Sequence, residues 1–289
     1  MPKHSLLARA RYQSRYNLQR VHRPRAREGV SVLLTTWNRA KFLKETLRTI
    51  ADTVPDAHEV LIWNNASQDE TLETIEAWRK SRLNLRVLHS AVNIGTSGYA
   101  ALALHATREW LMEIDDDVLR LPVGWFEKMT AAFEAFPELG YLALDVVQDR
   151  YTTGNKFPQD AYHAETRNGV TVEFGPTGGW ATMTPSDFYF RCGGLPFRPH
   201  KPLFSQDGYY QRNVREHDRR SGILKNVRAY HAAGAKWAAA FGYLTLMKEK
   251  YNSPGSPPVD EKAYAVDPSA LPDLSVLDAM SKAGRTESA

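Results

Sequence analysis

The sequence predicts an α/β fold in which a parallel sheet is covered by helices on both faces. Between residues 30 and 120, short apolar runs alternate with segments whose apolar side chains recur at helical spacing. The predicted strands are residues 30–35, 59–63, 85–88 and 111–114, and a polar turn follows each of them. Because ligands bind beyond the carboxyl ends of the strands in such sheets, we expect these four turns to form a site.

The segments between and after these strands supply the helices. Apolar side chains at helical spacing predict three helices in the first half, carrying Phe42, Leu43, Leu47 and Ile50, then Leu72, Ile75 and Trp78, then Tyr99, Leu102, Ala106 and Trp110. A fourth helix, opened by Pro122, carries Trp125, Met129, Phe133 and Phe136 as core residues. Further strands are predicted at 141–144, 170–174 and 223–227, and further helices from 207 to about 221 and over 235–250. The polar segment 148–169 is expected to be a loop, and 253–258 a proline-rich linker.

The fourth predicted strand ends in three adjacent carboxylates, Asp115, Asp116 and Asp117. Alternation along a strand places Asp115 and Asp117 on one side and Asp116 on the other. The repulsion between two close carboxylates is relieved by protonation of one of them or by a hard cation such as Mg²⁺ or Mn²⁺, which can also bridge phosphate oxygens. The simpler interpretation is a solvated acidic turn in which Asp117 caps the next helix, and a calcium loop is disfavoured.

Composition fits a globular protein of one large or two small domains, with 43% hydrophobic and 24% charged residues in 289. No apolar run approaches the roughly 18 residues of a membrane span, and the N-terminus lacks the apolar core of a signal peptide, so we expect a cytosolic protein. Cys192 is the single cysteine, which excludes an intramolecular disulfide and a thiolate metal cluster. A packing role for Cys192 is favoured over a nucleophilic one.

The positive charge belongs to the N-terminal tail. The net charge of +4 divides into +7 for residues 1–29 and −3 for the remainder. The basic residues of the tail are Lys3, Arg9, Arg11, Arg15, Arg20, Arg23, Arg25 and Arg27. Residues 1–28 could contact an anionic membrane, nucleic acid or an acidic partner, or form a merely solvated or helical extension.

The turn after the first strand, Thr35-Thr36-Trp37-Asn38, contains neither a glycine-rich dinucleotide fingerprint nor a P-loop lysine. A NAD dehydrogenase and a P-loop ATPase are therefore disfavoured. A diphosphate bound here would need another source of positive charge, and a metal at Asp115 and Asp117 would provide it.

Four short motifs in order carry a resemblance to a known family. They are Thr35-Thr36-Trp37-Asn38-Arg39, Asn65-Ala66-Ser67-Gln68-Asp69, Asn93-Ile94-Gly95 and Asp115-Asp116-Asp117. Together they resemble the glycosyltransferases of family 2, over roughly residues 30–235. The resemblance implies the A-type glycosyltransferase fold, a Rossmann-like mixed sheet flanked by helices, and a nucleotide-diphosphate sugar as donor.

The resemblance also assigns roles to individual residues. By similarity, the donor nucleotide would be held by Thr35, Trp37, Asn38, Arg39, Asn64, Asn65, Ser67, Asp69, Asn93 and Gly95. Asp115 and Asp116 would face the diphosphate, and Asp115, Asp117 and His231 would hold Mn²⁺ or Mg²⁺. The family often has Asp where this chain has Asn64, a departure at a position that commonly contacts the base.

The second half of the chain is expected to supply the acceptor site and the base. Gly178 and Gly179 beside an exposed Trp180 suit a sugar face, although a tight turn with Trp180 in the core is an equal alternative. By similarity, Asp207 matches the general base, while Gln206 stands where Glu is common. A helix-capping role for Asp207 is the simpler alternative.

These observations predict an inverting, metal-dependent glycosyltransferase that transfers a hexosyl or related sugar to a glycan, lipid-linked or other hydroxyl acceptor. Residues 1–29 would be a basic extension, 30–235 the catalytic domain with a nucleotide-sugar half (30–120) and an acceptor half (121–235), and 236–289 a C-terminal helix, linker and tail. Alternatives are a non-catalytic sugar-nucleotide-binding protein and an interaction protein with a basic tail that contacts a membrane peripherally. A nucleotidylyltransferase is disfavoured, because no glycine-rich loop with a basic residue follows the first strand.

Overall fold

A computed structural model describes residues 3–55, 58–80, 84–149, 151–152, 156–199, 205–251 and 277. The predicted linker at 253–258 lies outside the described residues. In the described part of the chain, no helix has the length and hydrophobicity needed to span a bilayer.

Helices and strands alternate along the first half, as the apolar periodicity predicts. The elements are, in order, α1 (Lys3–His22), β1 (Arg27–Thr36), α2 (Ala40–Thr53), β2 (Glu59–Asn64), α3 (Thr71–Arg79), β3 (Leu85–His89), α4 (Ser97–Ala103), β4 (Arg108–Asp115), β5 (Val118–Arg120) and α5 (Trp125–Ala135). The second half contains β6 (Leu139–Val146), a 3-10 turn (Gln159–Ala161), β7 (His163–Arg167), β8 (Val170–Phe174), β9 (Ala181–Pro185), α6 (Ser186–Arg191), α7 (Gln206–Glu216), β10 (Arg220–His231), α8 (Ala235–Ala240) and α9 (Leu244–Tyr251).

The strands form one mixed sheet in the order β3-β2-β1-β4-β9-β6-β10-β8-β7, with β5 paired to β10. The first four strands are parallel to one another, as predicted. The direction changes at β9, which lies antiparallel between β4 and β6. The expected mixed sheet flanked by helices is confirmed, and β1 and β4 lie near its centre.

Alternation along β1 explains why both faces of the sheet are covered. Val30, Val32 and Leu34 belong to a core cluster with α2, α3 and α5. Leu33 points to the opposite face and belongs to a second cluster with α4, α6 and α7. All four of these side chains are at most 1% exposed, so a strand buried on both faces appears in the sequence as an unbroken apolar run.

The predicted third helix is too long. α4 ends at Ala103, and Trp110 lies in β4 rather than on a helix. Trp110 pairs in register with Val30 and its ring centroid lies 4.8 Å from that of Phe133. Strand pairing and this contact between aromatic rings therefore override the helical spacing of Ala106 and Trp110.

The helices and strands of the second half differ from the predicted ones in three places. The expected loop at 148–169 contains the 3-10 turn and β7. The predicted helix reaching residue 221 ends at Glu216, because β10 begins at Arg220. The expected helix over 235–250 is two helices separated at Gly242, whose φ of +82° ends α8.

The N-terminal extension forms a helix that packs on the domain. Tyr16 is 4% exposed, and its hydroxyl donates to the carbonyl oxygen of Phe190 at 2.8 Å. The Tyr12 ring stacks on Phe197 with centroids 4.4 Å apart. These two tyrosines are one helical turn apart, so together they attach one face of α1 to α6 and the segment that follows it.

We expect Tyr16→Phe to lower the free energy of unfolding by about 1–2 kcal/mol, because a buried hydroxyl bond to Phe190 is lost while the ring remains. Tyr12→Phe is the matched control, since its hydroxyl lies 3.5 Å from the Leu195 carbonyl oxygen, near the limit of a hydrogen bond. Urea unfolding of the three proteins measures the difference. An equal loss in both variants would contradict the role given to the Tyr16 hydroxyl.

Candidate active site

The predicted site lies where parallel strands end together. Thr35 of β1 is in register with Asp115 of β4, and Thr36 is in register with Asn64 of β2. The turns that follow these strands therefore begin side by side at one edge of the sheet. A cavity of about 460 Å³ opens at this edge.

β4 ends at Asp115, and Asp116 and Asp117 lie in the turn that follows, so the predicted strand alternation does not extend through the acidic run. Asp116 Oδ2 accepts a hydrogen bond from Thr36 at 2.8 Å, and its Oδ1 lies 2.6 Å from Arg39. Arg39 also reaches Asp117 at 2.7 Å. One guanidinium therefore bridges two adjacent carboxylates, whose side chains are 6% and 12% exposed.

A turn followed by the short strand β5 comes after the acidic run, so Asp117 does not cap a helix. The Asp117 carbonyl oxygen accepts the Ala232 N–H at 2.8 Å, and His231 pairs with Val118 across β5 and β10. This antiparallel contact brings His231 to the acidic run from the far end of the domain.

Three side chains form a group with the character of a metal site. Ligand atoms of Asp115, Asp117 and His231 all lie within 4.8 Å of one another. The His231 Nε2 atom is 3.0 Å from Asp117 Oδ1 and 3.7 Å from Asp115 Oδ2. The Tyr99 hydroxyl lies 2.9 Å from Asp115 Oδ1, which leaves Oδ2 as the oxygen nearer His231.

The charged side chains of this group and Arg39 lie close enough to shift one another's pKa. Burial raises the pKa of Asp117, but Arg39 and His231 outweigh it and hold that pKa well below its usual range. Burial lowers the pKa of His231, but the neighbouring Asp117 outweighs it and the net pKa is raised. For Asp116, burial outweighs the attraction of Arg39 and raises the pKa to about 6.

Most of the residues predicted for the donor line the cavity. They are Thr35, Trp37, Arg39, Asn65, Asn93, Gly95, Asp115, Asp116, Asp117 and His231. Asn65 also holds the neighbouring turn, since its Oδ1 accepts the Ile94 N–H at 3.1 Å and its Nδ2 donates to the Gly95 carbonyl oxygen at 3.2 Å.

The other four predicted donor residues do not line the cavity and instead hold the turns in place. Asn64 Oδ1 accepts the Ser67 N–H at 3.1 Å, and Ser67 Oγ accepts the Asn38 N–H at 3.0 Å. Asn38 Oδ1 accepts the Gln68 N–H, and Asp69 accepts the Ala40 N–H at 3.1 Å. These bonds join the turn after β1 to the turn after β2, which fixes the wall of the cavity.

The expectation of an exposed Trp180 is wrong. Trp180 is 4% exposed, and its indole N–H donates to the Leu144 carbonyl oxygen at 2.8 Å. The ring covers Gly178, where a Cβ atom would collide with it. Trp180 is buried because it directly precedes β9, which pairs with β4 inside the sheet. The Trp180 carbonyl oxygen accepts the Asp115 N–H at 2.9 Å.

Asp207 lies in the first turn of α7, and its Oδ1 lies 3.4 Å from the hydroxyl of Ser205, which precedes the helix. Burial raises the pKa of Asp207. A Cβ atom added to Gly179 would lie 3.9 Å from the Asp207 Cβ atom and 3.6 Å from Glu113 Oε1. Gly179 therefore lies beside two carboxylates that come from different elements.

Glu113 is a site residue that the sequence analysis missed. It is 8% exposed, and burial, with Asp115 and Asp207 nearby, raises its pKa well above the usual range. Gln206 Nε2 donates to its Oε1 at 2.8 Å, which ties β4 to the start of α7. A charged residue inside the apolar run Leu-Met-Glu-Ile is the signal that could have revealed it.

The C-terminal helices complete the cavity and could not be anticipated from local spacing. Tyr243, Leu246 and Met247 line it together with residues 232–234 and Ala238. Phe42 stacks on Phe241 with centroids 4.4 Å apart, and the Tyr243 hydroxyl accepts the Lys41 N–H at 2.9 Å. These contacts hold α8 and the start of α9 against α2.

Comparisons with known proteins agree with this geometry. The family model described as glycosyl transferase family 2 matches residues 31–190. No match was found among curated proteins. The fold and the family model define the class of the protein, a glycosyltransferase with the A-type fold.

Because that family model covers more than half of the sequence, the chain belongs to glycosyl transferase family 2. Solved structures share its fold. The mannosyltransferase PcManGT from Pyrobaculum calidifontis, in complex with GDP-Man and Mn²⁺, has a TM-score of 0.54 and 17% identity over 88% of this chain and 76% of its own.

Two further structures show the same fold with lower coverage of their own chains. TarS 1–349 of S. aureus has a TM-score of 0.54 and 17% identity, covering 81% of this chain and 68% of its own. GalNAc-T7, with UDP, GalNAc and Mn²⁺, has a TM-score of 0.57 and 13% identity, covering 89% of this chain and 54% of its own.

We expect the ion pair between His231 and Asp117 to stabilise the metal-free protein fully when the pH is below the pKa of histidine in the unfolded chain. This contribution should be lost as the pH rises through the higher pKa of His231 in the folded protein. The sign follows because the pKa of His231 is raised on folding, so the folded state binds the proton more tightly. Chemical unfolding of wild type and His231→Gln, in chelator between about pH 6 and 9, measures it.

The stability gap between the two proteins should narrow with increasing pH. His163→Gln is the matched control, because the His163 side chain is 77% exposed. The difference in the free energy of unfolding between this variant and the wild type should stay constant. A His231→Gln gap that does not change with pH would contradict the raised pKa.

Proposed function

We propose that this protein is an inverting, divalent-metal-dependent glycosyltransferase that moves a hexosyl or related sugar from a nucleotide-diphosphate donor to a hydroxyl acceptor. The observation that carries the proposal is the group of Asp115, Asp117 and His231 at the edge of a cavity, with Asp207 as a separate, partly buried carboxylate. Residues 30–235 would form the catalytic domain.

The residues present fit a divalent cation. Two carboxylates and an imidazole supply the oxygen and nitrogen atoms that Mn²⁺ accepts, and their ligand atoms already lie within 4.8 Å of one another. Asp115, Asp117 and His231 would hold the ion. When bound, it would act as a Lewis acid that neutralises the charge on a departing diphosphate.

The cavity fits a nucleotide in size and chemistry. Its volume of about 460 Å³ lies within the range of small-molecule sites. Thr35, Trp37 and Asn65 offer a hydroxyl, an aromatic surface and an amide on one wall, and Asn93 and Gly95 adjoin them. The related structures carry GDP-Man or UDP, so both bases are candidates for this chain.

Asp207 would accept the proton of the acceptor hydroxyl. Burial raises its pKa, and a carboxylate whose pKa lies closer to neutrality is a stronger base for that proton. Glu113 and Gln206 would position it, since their hydrogen bond fixes the first turn of α7. Attack by the acceptor oxygen in a single displacement inverts the configuration at the anomeric carbon.

We expect UDP or GDP to raise the melting temperature of the wild type only when Mn²⁺ or Mg²⁺ is present, because the metal offsets the charge of the diphosphate. Asp117→Asn should lose the metal-dependent shift, since it removes a charged ligand while keeping the shape of the side chain. Thermal unfolding with each nucleotide, with metal or chelator, measures the effect.

Asp187→Asn is the matched control for that experiment, because the Asp187 side chain is 74% exposed on α6 and should leave the shift unchanged. CDP and dTDP complete the panel of bases. If no nucleotide stabilises the protein at millimolar concentration, the acidic run is a structural feature and the donor assignment fails.

We expect Asp207→Asn to reduce sugar transfer by about 10²–10⁴-fold, because the amide cannot accept the acceptor proton. Donor binding should stay within about twofold, since Asp207 does not line the cavity. Release of nucleoside diphosphate in the presence of an acceptor measures transfer, and the same thermal shift measures donor binding.

Asp160→Asn, at an exposed position of the 3-10 turn, is the matched control and should retain full transfer. Retention of transfer by Asp207→Asn would remove Asp207 as the base. Donor binding by the wild type without turnover on any acceptor would instead favour a non-catalytic sugar-nucleotide-binding protein.

A further inference from the structure

The outer face of α1 concentrates the exposed apolar surface of the protein. Among the described residues, the exposed large hydrophobic side chains are Leu6, Leu7, Leu18, Val21, Leu72, Val92, Val123 and Phe157. The first four, half of the set, lie on this one helix, and they are 52–66% exposed. They form two pairs, one near each end of α1, and this concentration of exposed apolar side chains on one helix favours a binding role.

Helical geometry places these side chains opposite the face that packs on the domain. At about 100° per residue, Leu7, Leu18 and Val21 project away from Tyr12 and Tyr16. Between Leu6 and Val21, the outward face carries no charged residue. Its members are Leu6, Leu7, Ala10, Ser14, Asn17, Leu18 and Val21, and we name it the α1 outer face.

Arginines border the α1 outer face on both sides. Arg11 and Arg15 lie along one edge, and Arg9 and Arg20 lie along the other, by the same helical geometry. All four are exposed. The acidic residue nearest to them along the chain is Glu28, beyond the end of the helix, so the flanks are uniformly basic.

We propose that the α1 outer face binds the surface of an anionic membrane. A helix that lies in a lipid interface buries an apolar stripe at the boundary of the acyl chains while flanking Arg side chains contact anionic headgroups. The α1 outer face has this arrangement, and its charge is complementary to acidic lipid. This binding is independent of the proposed sugar transfer.

A membrane is favoured over nucleic acid because large apolar side chains lie at both ends of the α1 outer face. A helix that binds a phosphate backbone presents its basic residues toward the ligand, and apolar side chains between them would remain exposed to water. Here Leu7, Leu18 and Val21 lie on the outward face, with Ala10, Ser14 and Asn17 between them. The three large apolar side chains gain by leaving water only if the partner has an apolar interior.

Attachment of α1 to the domain gives membrane binding a fixed orientation. The inner face is held by Tyr16, which is 4% exposed, and by the stack of Tyr12 on Phe197. Arg198, next to Phe197, has its backbone N–H bonded to Ser97 Oγ of α4 at 2.8 Å. Because these contacts are on the inner face, a bilayer bound to the α1 outer face would lie on the side of α1 opposite to α6 and Phe197.

The test is co-sedimentation with phosphatidylcholine vesicles, with and without phosphatidylglycerol. We expect the wild type to partition more strongly to the anionic vesicles. Arg11→Gln combined with Arg20→Gln should weaken that binding by about fivefold for each arginine, from the usual contribution of one basic residue at an acidic surface. Leu18→Asn combined with Val21→Asn should weaken it by at least about tenfold.

Matched controls separate this surface from general effects of charge and hydrophobicity. Arg79→Gln with Arg215→Gln removes the same charge from α3 and α7, and Leu72→Asn changes an exposed leucine of α3. Both should bind vesicles like the wild type. Circular dichroism and melting temperature show that every variant folds.

Equal binding to neutral and anionic vesicles, no binding to either, or wild-type binding by Leu18→Asn with Val21→Asn would each overturn the proposal. Binding of a single-stranded oligonucleotide that depends on Arg11 and Arg20 but not on Leu18 and Val21, without vesicle binding, would assign the surface to nucleic acid instead. None of these outcomes depends on sugar transfer.

Discussion

The burial of two adjacent carboxylates, Asp116 and Asp117, in the acidic run at the end of β4 is the constraint on which the rest of the site depends. Such a run is stable only if its charges are compensated where they lie, because desolvated and unpaired carboxylates cost several kcal/mol each. Arg39 bridges Asp116 and Asp117, and His231 contacts Asp117 at 3.0 Å. The turn after β1 and the end of β10 are therefore both fixed by the acidic run.

The reversal of strand direction at β9 joins the two halves of the site. β9 pairs with β4 on one side and with β6 on the other, which places the segment before it against the acidic run. Trp180 consequently lies under His231, with ring centroids 6.3 Å apart, and Glu113 faces the start of α7. The parallel half supplies the turns that line much of the cavity, and the second half supplies His231, Asp207 and the C-terminal residues that complete the lining.

Local periodicity predicted much of the first half because β1 and β2 are buried on both faces and α2 has one apolar face. Asp115 and Asp117 do lie together with His231, but through the turn that follows β4 rather than by strand alternation. Local periodicity failed where tertiary contacts decide, as for Trp110, which lies in a strand, and Trp180, which is in the core. The lining of the cavity by α9 depends on packing against α2, a contact that no local pattern encodes.

The distance along the chain between the partners of the acidic run has a consequence for synthesis. His231 follows Asp117 by 114 residues, whereas Arg39 precedes it. On the ribosome, the carboxylates therefore emerge with Arg39 already available and long before their imidazole partner. The strands of the parallel half can begin to pair early. The group of Asp115, Asp117 and His231 comes together only after β10 has formed, so this part of the domain folds late.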